Sequence, residues 1–98
     1  MTLLVEYVRE HLVEFDRKKI LIVVPRKWGK TSTIEWLSEY SPDTKTFDDV
    51  DADSLIGFDE GIAFLTPPDN SEWKRCFIDM GFEIIGFNSI TGIFEKIH

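Results

Sequence analysis

The chain has one cysteine, Cys76, so no internal disulfide framework holds it together. That usage fits a reducing, cytoplasmic setting. Long apolar runs are missing. The longest, Ile20 to Val24, is far too short to cross a bilayer, and membrane insertion is not expected. No basic stretch leads into an apolar segment near Met1, which argues against a secretory leader. Only 4 prolines and 6 glycines occur, and no repeat is visible, which excludes collagen-like and low-complexity classes. The histidines are His11 and His98, one of them terminal; with no cysteine pair beside them, metal-centred catalysis finds no support. Positive charge is scarce as well. Lys plus Arg is 11 against 18 for Asp plus Glu, a net charge of −7. Such a chain is repelled at long range by nucleic acid and by membrane phosphates.

What is present points to one folded unit. Hydrophobic residues make up 43% of 98 residues, enough for a single core but not for two. Folding is expected to bury roughly 65% of the extended-chain surface.

Periodicity gives the elements. Val5, Val8, Leu12 and Phe15 follow helical spacing after Thr2, a candidate cap, and the helix is expected to end over Asp16 to Lys19. Lys19 to Pro25 is continuous and β-branched, the mark of a parallel strand buried on both faces. Thr31 to Tyr40 reads as a helix stopped by Pro42, Thr44 to Phe47 as a short strand, and Gly61 to Thr66 as a second apolar strand. Asp51 to Phe58 fits either a helical turn or a loop. Asp69 and Glu72 have capping-box spacing ahead of Trp73, Cys76, Phe77 and Met80, an apolar face that would bury Cys76. Gly81 is placed to end that helix. Phe82 to Phe87 and Ile90 to Ile97 then read as strands joined by a turn at Asn88-Ser89. The expected fold is a single small layered α/β domain over residues 1–98. Its sheet is mostly parallel, with crossover helices and a C-terminal antiparallel hairpin.

Charge is segregated along this chain. Arg17, Lys18, Lys19, Arg26, Lys27 and Lys30 fall in a stretch without acids, whereas Asp43, Asp48, Asp49, Asp51, Asp53, Asp59 and Glu60 face Lys45 alone. The two segments could neutralise each other, or the basic one could hold a phosphate. The loop Val24-Pro25-Arg26-Lys27-Trp28-Gly29-Lys30-Thr31-Ser32 lies between a buried strand and a helix. A phosphate-binding loop needs a Gly where backbone passes close to the anion, a Lys for the outer phosphates and a hydroxyl for magnesium. The helix that follows offers its first amides. Arg26, Lys27, Gly29, Lys30, Thr31 and Ser32 are the candidate binding residues. Trp28, an aromatic among cations, could stack on a base, lie over a lysine or plug the domain.

Val24 stands where the general phosphate-loop motif has Gly. With that departure, Val24 to Thr31 resembles the loop of viral DNA-packaging ATPases, the large terminase subunits. Leu55 to Glu60 is similar to that family's acidic strand, and Phe64 to Pro67 to its coupling strand. The resemblance implies a Mg-ATP-binding, magnesium-dependent nucleoside triphosphatase. In it, Thr31 and Asp59 would support the metal, Glu60 would polarise water, and Arg26 would help couple hydrolysis to movement.

Asp49, Asp51, Asp53 and Glu60 have calcium-loop spacing, but Ser54 stands where such a loop needs Gly, which argues against calcium. Thr66-Pro67-Pro68-Asp69 faintly resembles the amino-methyltransferase motif, without the Gly-rich loop that would bind the methyl donor. His11, on the apolar side of the first helix, fits a partly buried helix residue. Two functional expectations result. The first is a small nucleotide- or phosphate-binding module. The second is a non-enzymatic acidic protein that inhibits or binds a protein partner, or self-associates.

Overall fold

The computed structural model describes residues 3–51, 53–69 and 72–97. The element order is α1 (Leu3–His11), β1 (Lys19–Val23), α2 (Lys30–Tyr40), β2 (Thr46–Phe47), β3 (Gly61–Leu65), α3 (Glu72–Asp79), β4 (Glu83–Asn88) and β5 (Ile93–Ile97). A single 3-10 turn, Asp53–Leu55, precedes β3. The sheet order is β2-β3-β1-β4-β5. β1 runs parallel to β3 and β4, β2 runs parallel to β3, and β5 closes an antiparallel hairpin with β4. The fold is therefore the expected small α/β domain with a mostly parallel sheet.

The period of two in β1 builds a core on each side of it. Ile20, Ile22 and Val24 meet Leu4 and Val8 of α1 and Leu37 of α2, together with Ile62, Phe64, Ile85 and Phe94. Leu21 and Val23 face the other way, toward Phe77 of α3, Leu55, Ala63, Leu65 and Ile84. Helices thus cover both faces of the sheet, which is why β1 is apolar at every position rather than at alternate ones. Burying side chains such as Phe64 and Phe77 stabilises the domain by ~1.5–3 kcal/mol each.

Gly81 ends α3 as expected. It takes φ 89°, its N–H donates to the Ile78 carbonyl at 2.9 Å, and the Phe82 N–H donates to the Phe77 carbonyl at 3.0 Å. These are the two bonds of a Schellman cap, and the accompanying apolar contact is Phe77 edge-on to Phe82, centroids 5.5 Å apart.

Local details differ from the sequence expectations for identifiable reasons. α1 stops at His11 rather than near Asp16, and residues 12–18 form turns in which Arg17 adopts φ 61°. Phe15 still reaches the core from that turn. β5 starts at Ile93, not Ile90, because the Asn88 Oδ1 accepts from the Ile90 and Thr91 N–H groups and spreads the hairpin over residues 89–92. Cys76 is exposed, not core; the inward face of α3 is Trp73, Phe77 and Met80, one helical step round from it. The Thr2 cap lies outside the described residues, as do residues 70 and 71 between Asp69 and Glu72.

Candidate functional site

β1 feeds a loop that leads to α2 on one face of the sheet. β3, its neighbour, feeds a loop that leads to α3 on the other face. Loops that part in this way leave a crevice at the carboxyl ends of the strands, the habitual place for a ligand in open α/β sheets. A hollow of about 700 Å³ lies there, lined by Pro25, Arg26, Lys27, Gly29, Lys30, Thr31, Ser32, Asp49 and Thr66. All six binding residues expected from the sequence border it.

The backbone of the loop bends rather than extends. Lys27 has φ 68° and Gly29 has φ 89°, while Trp28 between them and Lys30 after them stay on the negative side. Such alternation turns successive N–H groups toward one concavity, the arrangement of an anion nest. Gly29 is also the N-cap of α2, with ψ 21° and no side-chain cap. Its carbonyl accepts from the Thr33 N–H at 2.9 Å and from the Thr33 hydroxyl at 2.7 Å. Thr33 is fully buried, so the base of the loop is fixed from inside. The first-turn amides of α2 have no partner within the helix, and their residues Lys30, Thr31 and Ser32 line the hollow. Trp28 turns aside from this hollow: its ring lies 4.3 Å from that of Phe87 on β4, and it is 38% exposed. It braces the loop against the sheet instead of filling it.

Lys30 is the most constrained cation here. Its Nζ lies 2.7 Å from Asp49 Oδ2 and 2.9 Å from Asp48 Oδ1, and its side chain is 17% exposed. The Thr66 hydroxyl, just past β3, donates to Asp49 Oδ1 at 2.9 Å. Burial pulls the Lys30 pKa down; hydrogen bonds to Asp49 and Asp48 and their Coulombic attraction outweigh it, so the pKa stands above its ordinary value. The Lys30 hydrogen bond, then that from Thr66, hold the Asp49 carboxyl below its ordinary value against a smaller cost of burial. The basic and acidic segments do meet, but through Lys30. Among the described residues, Arg26 and Lys27 have no ion-pair partner.

Asp59 and Glu60 do not reach this place. They precede β3, whose first residue Gly61 is level with Lys19, whereas the loop follows the far end, where Leu65 is level with Val23. Five strand residues at ~3.3 Å each put the two carboxylates roughly 16 Å away. The expected pairing of Thr31 with Asp59 around a metal, and of Glu60 with attacking water, is corrected accordingly. Nor is Leu55 to Glu60 a strand: Leu55 closes the 3-10 turn, and residues 56 and 57 continue as a turn with Gly57 at φ 83°. Asp48 and Asp49 occupy the position that sequence reasoning gave to that pair. Their signal was faint, being two acids after a two-residue strand.

The calcium spacing also disperses. Asp49 is turned to Lys30, Asp51 Oδ1 accepts from the Ser54 N–H at 2.8 Å, and Glu60 lines a different hollow beside Leu12, Asp16 and Lys45. Among the described residues, no group of three or more His, Cys, Asp or Glu side chains is placed to hold a metal ion. His11 is tied into α1, its Nδ1 donating to the Tyr7 carbonyl at 2.8 Å and its ring stacked on Tyr7. Among the described residues, no helix is long and apolar enough to cross a membrane. No family model, curated protein or solved structure matches the chain.

Proposed function

We propose that the domain binds a phosphate-bearing ligand, a nucleotide being the leading class, in the loop between β1 and α2. The observation that carries the reading is the loop itself. Positive φ at Lys27 and Gly29 bends the loop beside a hollow that Arg26, Lys27, Lys30, Thr31 and Ser32 line, the backbone alternation with which nests bind anions. Backbone amides and the helix N-terminus bind phosphate oxygens; Lys30 and Arg26 supply full charges; Thr31 and Ser32 supply hydroxyls. Against the chain's net charge of −7, the hollow has Arg26, Lys27 and Lys30 around it, with Asp48 and Asp49 set against Lys30.

The reading is one of binding. It draws on the bend of the Val24 to Thr31 loop, and Thr66, from the Phe64 to Pro67 stretch, lines the same hollow and bonds Asp49. Asp59 and Glu60 have no part in it. The test is a thermal-unfolding series with ATP and with inorganic pyrophosphate, each with and without magnesium. A ligand at a hundredfold excess over its Kd adds ~2.7 kcal/mol to stability. Absence of any shift at millimolar ligand would favour the other reading, a protein that acts through its acidic segment on a protein partner.

A further inference from the structure

Three bonds converge on a pair of carboxylates that no step of phosphate binding requires. Asp49 is held at both oxygens, Oδ2 by Lys30 at 2.7 Å and Oδ1 by the Thr66 hydroxyl at 2.9 Å. Asp48 adds a second contact to the same ammonium. Asp49 also takes φ 44°, in the left-handed region that Asp enters more readily than most side chains. The next residue is anchored, the Val50 N–H donating to the Phe64 carbonyl at 3.2 Å. Beyond the bonds to Lys30 and Thr66 the two carboxylates are open, 54% and 59% exposed, whereas the Lys30 side chain is mostly covered.

An oxygen at 2.7–2.9 Å from Nζ is where a phosphate oxygen would sit. On the reading of this loop as a phosphate site, we propose that Asp48 and Asp49 are its affinity-setting residues. They hold Lys30 as an internal stand-in for the anion, and the ligand binds by taking Lys30 from them.

The charge arithmetic supports this. Of the three cations around the hollow, Arg26 and Lys27 are unpaired among the described residues, and Lys30 is neutralised twice over. An arriving phosphate gains Lys30 only as the carboxylates lose it, and those carboxylates then stand as like charges beside the anion. The acids therefore lower affinity and keep the empty loop in order. They sit just after β2, where Phe47 pairs with Ala63 and Val50 is held to Phe64, so the exposed carboxylate side chains, rather than the backbone, are what a ligand displaces.

The test is calorimetric titration of inorganic pyrophosphate into the wild-type chain, Asp48→Asn, the Asp48→Asn/Asp49→Asn double variant, and Asp51→Asn/Asp53→Asn. The last removes the same charge from nearby residues that do not touch Lys30. The double variant is expected to bind about tenfold more tightly than wild type, and the Asp51/Asp53 control less than about twofold. Asp48→Asn, which leaves the Asp49–Thr66 bond in place, should gain in the same direction and serves if the double variant fails to fold. Wild-type binding with no gain in the Asp48 and Asp49 variants, or a gain no larger than the control's, overturns the role of these acids and leaves the phosphate site standing. Absence of binding in every folded variant overturns both.

Discussion

Lys30 and Asp49 come from opposite ends of the chain's charge segregation, and they meet at 2.7 Å where β1 and β2 both end. That pair joins the loop that would cradle an anion to the loop that would compete with it. Its consequences can be separated by experiment.

Lys30→Ala should abolish any stabilisation by ATP or pyrophosphate while the domain still folds. The ion pairs that it removes are partly exposed on the carboxylate side, so the loss of stability should stay within ~1 kcal/mol. Thermal unfolding with and without ligand checks both halves. An unchanged ligand shift in the variant would remove this loop from consideration.

The pair also sets a pH dependence. Asp49 has its pKa lowered on folding, so its contribution is complete above the unfolded value of 3.8 and is lost as pH falls through the folded value. Lys30 has its pKa raised, so its contribution is complete below 10.5 and is lost as pH rises through the folded value. Between those limits this pair predicts a flat profile. Asp49→Asn should make the acid limb below about pH 4 shallower, by less than ~1 kcal/mol because the carboxylate is exposed. Chemical denaturation at a series of pH values measures it.

Two glycines give a matched comparison. Gly29 and Gly81 both adopt φ 89°, and a Cβ at Gly81 would come no nearer than 3.9 Å to its closest neighbour, Lys19 Nζ. Gly81→Ala should therefore cost ~1 kcal/mol from backbone conformation alone and leave ligand binding untouched. Gly29→Ala should cost a similar amount and also remove binding, because it disturbs the alternation that aims the amides. Equal ligand shifts in the two variants would contradict the nest.

Cys76 is exposed on α3, so a thiol reagent should modify the folded chain at a rate insensitive to added denaturant below the unfolding transition. Reaction only on unfolding would return the residue to the core.

The sequence was most informative where one physical demand dominated. The unbroken apolar run of β1 could only be a strand covered on both faces, and Gly81 could only be an end to α3, since no other signal competed at either place. The basic loop was legible for the same reason: Gly29-Lys30-Thr31 sits between a strand and a helix. The acids were harder to place. Asp59-Glu60 ahead of an apolar strand and Asp48-Asp49 behind a short one look alike as letters. Only the parallel register, with Gly61 beside Lys19, decides which pair shares an end of the sheet with Lys30. Cys76 was misplaced by one helical step, because a helix of only eight residues has room for two apolar stripes and the sequence does not say which faces in.

The most direct test of the central claim is an amide NMR titration of the wild-type chain with inorganic pyrophosphate. The largest shifts are expected on the N–H groups of Trp28, Gly29, Lys30 and Thr31, with smaller ones at Asp49 and Thr66. Shifts scattered over the surface, or centred on the Tyr7–His11 side of the sheet with the loop silent, would contradict it.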